Sequence, residues 1–304
     1  MLAALLLLSA CSQKKVPDAA PATSSAGPSA SASTTSPAAP TVFQLTPAKD
    51  AADVNPVAPV KVAVSGGSLS QVSLTNVEGR QIKGSLSADK QSWSSAEALG
   101  YDRSYRLQAT ATNAVGKQYS EASTFSTVKP ANMTMPYIQT AAGGGIAPGV
   151  TFGVGQVVRI HFDESIPDRK AAQAALSVQT VPAQVGAFSW LDGANVYWRA
   201  KSYLKPGTKV TITAKAYGKD FGNSLYGQGD ASTWYRVGDK HISIVDNRVK
   251  VIKVYNNDRL VRSIPTSMGR DVRIAGDKGP IDLRTNSGPH VVVGGEKNID
   301  MNSA

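Results

Sequence analysis

After Pro40 the chain is cut into short segments in which apolar and polar residues alternate one for one. That period of two restricts it to sheets that bury one face. Val60-Lys61-Val62-Ala63-Val64 ends at Gly66-Gly67, and Val72-Ser73-Leu74-Thr75 runs into the turn Val77-Glu78-Gly79-Arg80. Trp93, the run Tyr105 to Thr112 and Phe125 keep the same rhythm. Strand and turn repeating at this spacing predict an antiparallel sandwich. With one face inside, Val62, Val64, Leu74, Trp93, Tyr105, Leu107 and Phe125 are its candidate core. The first module is placed at 41–129.

A second module, 130–236, carries Val158-Arg159-Ile160-His161-Phe162-Asp163, Trp190, Val196-Tyr197-Trp198-Arg199 and the turn Lys205-Pro206-Gly207-Thr208. An Ala-rich stretch near Asp168 to Leu176 predicts one short helix among the strands, with Asp168 as a cap residue and Asp163-Glu164 in a loop. Phe152-Gly153-Val154-Gly155 is not G-x-G-x-x-G, and no strand-turn-helix follows it, so no dinucleotide loop is expected. A third alternating series occupies 237–304: Ile242-Ser243-Ile244-Val245, then Val249 to Tyr255, the turn Asn256-Asn257-Asp258-Arg259, and Leu260 to Ile264. Two strands about one polar turn predict a hairpin. The fold class expected is all-β.

The N-terminus has a different texture. Met1 to Leu8 is apolar but far short of the about 20 residues that span a bilayer. It leads through Ser9-Ala10 to Cys11, a leader at 1–11. From Ala19 to Pro40 every residue is Ala, Pro, Ser or Thr except Gly27. Without branched or aromatic side chains to bury, 12–40 is expected to be a disordered linker. As a flexible coil it would span about 30 Å, and in a polyproline-like form about 90 Å.

Lys and Arg number 32 against 22 Asp and Glu, a net charge of +10. This suits a polyanionic neighbourhood. The cations are scattered singly (Lys61, Arg80, Arg103, Arg159, Lys201, Lys250), with no basic arm or stripe, so nucleic acid is not expected as a partner. Cys11 is the only cysteine. Internal disulfides, thiolate metal sites and a cysteine nucleophile beyond the leader are therefore excluded from these residues. His161, His241 and His290 are far apart and lack metal-ligand spacing, so neither a metal site nor a cofactor is expected. Ser87-Ala88-Asp89-Lys90 fits Ser-x-x-Lys, yet it sits in an expected hairpin turn without a Lys-Thr-Gly partner and reads as coincidence.

Three resemblances add to this. Leu8-Ser9-Ala10-Cys11 followed by Ser12-Gln13-Lys14-Lys15 resembles a bacterial lipoprotein signal, which implies a diacylated Cys11 and attachment to the outer face of the cytoplasmic membrane, reaching into the cell wall. About Leu45 to Val128, through Ser65-Gly66-Gly67, Leu74-Thr75-Asn76, Gly84 to Asp89, Trp93 and Ala109 to Asn113, resembles the bacterial immunoglobulin-like domain of actinobacterial envelope proteins, a spacer without catalysis. The second module resembles the immunoglobulin-like domain that precedes the catalytic domain in mycobacterial-type L,D-transpeptidases. There the stretch corresponding to Tyr217-Gly218 through Gly229 leads directly into catalysis.

Val237 to Asp271 looks like the start of that catalytic domain. Val272 to Pro289 departs from the family pattern, and a strand is expected to resume at Val291-Val292-Val293-Gly294. Ile299 to Ser303 is similar to the beginning of the lid over the substrate groove, which makes Met301 a groove candidate beside its plainer reading as a strand-end residue. The family's chemistry uses a thiolate attacking a peptidoglycan stem carbonyl, a histidine and oxyanion donors. Its Ser-His-Gly-Cys motif is absent from these 304 residues. The resemblance thus implies peptidoglycan stem peptides as partners and 3-3 cross-linking for a complete protein, and carbapenem-type inhibitors only where a catalytic cysteine is present. The 304 residues themselves are expected to be inactive, with no catalytic residue among them. A non-catalytic wall-binding spacer and a sugar-binding stalk stay open as alternatives.

Overall fold

The computed structural model describes residues 39–277 and 279–292. Strands account for 49% of the chain and helix for 2%, so the all-β class holds. The first sandwich is built from β1 (Val42–Thr46), β2 (Ala51–Val54), β3 (Lys61–Ser65), β4 (Ser68–Asn76), β5 (Gly84–Leu86), β6 (Ser92–Ser95), β7 (Ser104–Thr112) and β8 (Gln118–Thr127). They form two four-stranded sheets, β1-β3-β6-β5 and β2-β8-β7-β4. Alternation does what it predicts: on β7, Tyr105, Leu107, Ala109 and Ala111 are buried while Arg106 and Gln108 face water. All seven expected core residues lie in one buried cluster with Val60, Leu69, Ile82 and Leu99. A fully buried aliphatic side chain such as Val62 or Leu74 contributes about 1.5–3 kcal/mol over its exposed state.

The second sandwich repeats the plan. After β9 (Asn132–Thr134) come β10 (Pro136–Thr140), β11 (Thr151–Phe152), β12 (Val158–Phe162), the helix α1 (Arg169–Ala174), β13 (Leu176–Val181), β14 (Gly186–Trp190), β15 (Asn195–Ala200), β16 (Lys209–Ala214), β17 (Leu225–Gly227) and β18 (Ala231–Val237). Its sheets are ordered β10-β12-β15-β14 and β11-β18-β16-β13. Strand for strand this is the order of the first sandwich, down to the one parallel pairing within the four-stranded sheets, β2 with β8 in one and β11 with β18 in the other. The helix is the addition. The Asp168 carboxylate accepts the Ala171 amide at 2.9 Å, which caps the helix as its position suggested. Val237 ends β18 inside the core, one residue past the point where the alternation alone divides the second and third modules.

Both sandwiches lay a tryptophan under a glycine. Gly84 pairs with Ser95 and covers Trp93, where an added Cβ would stand 1.9 Å from the ring. Gly186 pairs with Ala200 and covers Trp198, with the corresponding distance 2.2 Å. Only a residue without a side chain lets the indole close the core at these places.

Beyond Val237 the character changes. β19 (His241–Asp246), β20 (Val251–Asn256) and β21 (Arg259–Pro265) form an antiparallel meander, and β22 (Arg273–Ile274) pairs with β23 (Ile281–Asp282). The expected hairpin is present. Asn257 and Asp258 both have positive φ, the two-residue turn whose twist matches its strands. The stretch expected to depart from the pattern, Val272 to Pro289, contains the small β22–β23 hairpin. Val291 and Val292 belong to no strand, contrary to the strand expected there, and Val293 and Gly294 lie outside the described residues. No described residue after Val237 is buried; Val245, Leu260, Val261 and Ile281 are all about half exposed or more, and Ile242 alone packs against the second core. Among the described residues no layer covers these apolar side chains.

Two outcomes follow from these packing differences. Gly186→Ala should lower stability by about 1–3 kcal/mol through overpacking against Trp198, while Gly79→Ala, in open space at φ +84°, should cost only the about 1–2 kcal/mol of a left-handed backbone; urea denaturation measures both. Limited proteolysis should cut first after Gly238 and leave the two sandwiches whole, and equal resistance along the chain would contradict the exposure pattern.

Candidate functional site

The two sandwiches meet at three tyrosines. Tyr101 stands on the loop between β6 and β7, and its neighbours hold that loop on every side. The Gly100 amide donates to the Tyr105 hydroxyl at 2.8 Å, and the Gly100 carbonyl accepts from Thr127 Oγ1 at 2.7 Å. The Leu99 amide donates to Pro56 O at 2.8 Å and the Asp102 amide to Val128 O at 2.9 Å. The side chain of Tyr101 is thus presented by a loop with little freedom.

Across the junction, Tyr217 and Gly218 lie in a turn closed by the Lys219 amide donating to Ala216 O at 3.0 Å. The Tyr101 hydroxyl accepts from the Gly218 amide at 2.7 Å and donates to the Gly227 carbonyl at 2.8 Å. The Tyr217 hydroxyl donates to Leu99 O at 2.6 Å, and Asn55 Nδ2 donates to Gly218 O at 2.8 Å. The Tyr101 ring packs 4.9 Å from Tyr217 and 5.8 Å from Tyr226, centre to centre, in tilted and edge-on geometries. Gly218 needs its φ of +77°, and a Cβ there would stand 2.8 Å from Asn55 and Val57. The linking segment is itself tied down, since β9 pairs in parallel with β17 and the Ala131 amide donates to Ser224 O at 3.0 Å.

Electrostatics keep this clasp neutral. Burial pushes the Tyr101 phenol from its ordinary 10.0 up to about 12, with the Gly218 hydrogen bond pulling the other way. Burial also raises Tyr217 and Tyr226. Burial would raise the Asp230 carboxyl as well, but the Tyr217 amide at 3.0 Å and Lys215 Nζ at 2.9 Å outweigh it and hold the group below its usual range. It stays an anion that fixes the Tyr217 turn.

The residues singled out from the sequence fall elsewhere. Cys11 and Met301 lie outside the described residues. His161 Nδ1 is 3.0 Å from Asn195 Oδ1 on the neighbouring strand, and Asp163 Oδ1 accepts from Thr134 Oγ1 and the Met135 amide, each at 2.8 Å. Ser87 bonds Asp89 and Ser92 within its hairpin turn, and Lys90 takes positive φ there. His241 opens β19, and His290 is exposed outside any strand. The structure brings none of these together. Among the described residues no cluster of His, Cys, Asp or Glu could hold a metal ion, and no helix is long and apolar enough to cross a membrane. The stretch Tyr217 to Gly229 does not run straight out of the second sandwich; it folds back onto the first and returns through β17 and β18. A signal for the junction was present: of ten tyrosines, only Tyr101, Tyr217 and Tyr226 adjoin a glycine.

Two eight-stranded sandwiches of the same strand order, joined through the tyrosine clasp, make this a tandem β-sandwich protein, and sequence comparison names the family. The bacterial Ig domain family matches residues 51–220, more than half of the chain, running through both sandwiches. The chain belongs to that family. It is also homologous to mycobacterial L,D-transpeptidases: it is 41% identical over 214 residues to L,D-transpeptidase 2 of Mycobacterium tuberculosis strain CDC 1551, covering 70% of this chain and 51% of the relative. L,D-transpeptidase 5 of Mycobacterium tuberculosis strain H37Rv is 35% identical over 73% of this chain and 49% of its own length. The chain therefore spans about half the length of the curated relatives it matches. A solved L,D-transpeptidase in complex with imipenem superposes with a TM-score of 0.36 at 21% identity, over 46% of this chain and 57% of the other.

Tyr101→Phe removes the one group that satisfies both Gly218 N–H and Gly227 C=O, and should cost about 1–3 kcal/mol together with a broader distribution of inter-sandwich angles in small-angle scattering. The phenol's folded pKa lies above its unfolded value, so its contribution is present in full below pH 10 and fades as pH climbs towards about 12. Scattering should accordingly show an unchanged junction through neutral pH and loosening only within that alkaline window, and Tyr101→Phe should remove this component.

Proposed function

We propose that the chain is the stalk and the first strands of the catalytic domain of an L,D-transpeptidase-type lipoprotein of the cell envelope. A lipid on Cys11 would hold it to the outer face of the cytoplasmic membrane, the segment to Pro40 would lift it into the wall, and the clasped sandwiches would set the direction in which the third module points. In the complete protein that module would make 3-3 peptidoglycan cross-links: a histidine takes the proton of a cysteine thiol, the thiolate attacks a stem-peptide amide carbonyl, the C–N bond breaks and the departing amine takes that proton, and an acceptor amine then displaces the sulfur from the acyl group to form the new amide.

The observation that carries this reading is 41% identity over 70% of the chain to an L,D-transpeptidase. The uncovered apolar side chains of β19 to β23 support it, because a sheet left with such a face calls for further layers to pack on it. A second reading, a wall-associated spacer without catalysis, is favoured by Cys11 being the only cysteine in these 304 residues.

One experiment separates the two. The product of the complete gene, incubated with a carbapenem, should gain the mass of one inhibitor on a cysteine outside the leader, whereas residues 40–304 alone gain none. No adduct on the complete product would leave the spacer reading. Cys11→Ala should in either case release the protein from the membrane fraction, and retention there would remove the lipid anchor from the account.

A further inference from the structure

The outer face of β11-β18-β16-β13 carries groups that neither the clasp nor the third module uses. Register places them in three rows. Val181, Lys209, Arg236 and Thr151 form the row nearest the exit to the third module; Gln179, Thr211 and Trp234 form the next; Ser177, Thr213 and Ser232 form the last. The alternate residues Val210, Ile212, Thr233, Tyr235 and Val237 are buried, so the rows face outward. Strand spacing makes the platform about 14 Å along the strands and about 10–14 Å across them.

Its chemistry is selective. Lys209 Nζ stands 4.6 Å from the centre of the Trp234 ring and the Arg236 guanidinium 5.7 Å from it. The indole thus holds two cations side by side through the attraction of its ring face for positive charge. Gly149, at φ +84°, brings its loop to the ring edge, where a Cβ would stand 3.3 Å away, and its amide donates to Trp234 O at 2.9 Å. The ring is fixed from that side. Neither cation forms an ion pair among the described residues, and none of the three rows contains a carboxylate. Beyond the cations the rows offer hydroxyls and an amide, from Thr211, Thr213, Ser232 and Gln179, beside a single exposed aliphatic group, Val181.

We propose that this face binds an acidic polysaccharide, a sugar polymer bearing carboxylate or phosphate. Charge complementarity names the occupant: two held cations without an ion-pair partner among the described residues call for an anion, and the hydroxyl and amide rows match sugar hydroxyls. A nucleic acid would need a longer track of cations than two. This inference does not depend on cross-linking by the third module, and loss of the transpeptidase reading would leave it standing.

The test is binding of the full chain to oligogalacturonate, which carries a carboxylate on each sugar, followed by titration calorimetry at low salt. Saturable binding is expected, weakened on the order of tenfold by the pair Lys209→Ala and Arg236→Ala and weakened also by raised ionic strength. Lys117→Ala, which removes a cation stacked 5.1 Å from Tyr119 on the first sandwich, should leave it unchanged. Both cations are exposed, so these variants should keep the wild-type melting temperature; Thr211→Val, which removes one hydroxyl and retains the shape, should weaken binding independently. Binding that ignores Lys209 and Arg236 overturns the proposal. Equal binding of polyglutamate, a polyanion without sugars, or of neutral dextran overturns it too.

Discussion

The side chains of Tyr101, Tyr217 and Asn55, bonded to backbone atoms across the junction, hold the two sandwiches in one arrangement. Tyr101 can both accept and donate through its hydroxyl, and the second sandwich offers it an amide and a carbonyl placed for that pair of roles. The aromatic contacts add area, and the Asn55 bond to Gly218 closes the far side. Stiffness here comes from a few directional bonds on preformed loops, with the cores of the two sandwiches remaining separate.

Much of the fold was legible because a sheet writes its burial into the sequence at every second residue. Val62, Leu107 and Phe125 declared themselves in that way, as did the helix capped by Asp168 and the hairpin turning at Asn257-Asp258. The junction did not. Its bonds join side chains to backbone atoms more than 100 residues away, as with Tyr101 and Gly218, and such pairs leave no periodic trace. The stretch from Tyr217 to Gly229 stood out as distinctive, but its direction could not be read because glycines at positive φ reverse the chain there. Short strands such as β22 and β23 were hidden by charged and glycine residues that mask alternation. Of the candidate site, Cys11 and Met301 fall outside the described residues, so the clasp and the Trp234 platform had to come from geometry alone.

The duplicated plan shows which features the architecture requires and which are local additions. Strand order, the parallel pairing of β2 with β8 and of β11 with β18, and the tryptophan beneath a glycine recur in both halves. The helix α1, the Tyr217 turn and the cationic platform occur in the second alone. They mark where that half differs from the first.

The strand β9 connects the halves and also pairs with β17, placing Thr134 where it is fully buried and bonded to Asp163. One residue inserted within it, between Asn132 and Thr134, would shift the pairing with β17 and carry Thr134 away from its acceptor. The spacing between the halves therefore resists drift by small insertions and deletions, and a lineage needing a longer reach would have to lengthen the chain somewhere other than here.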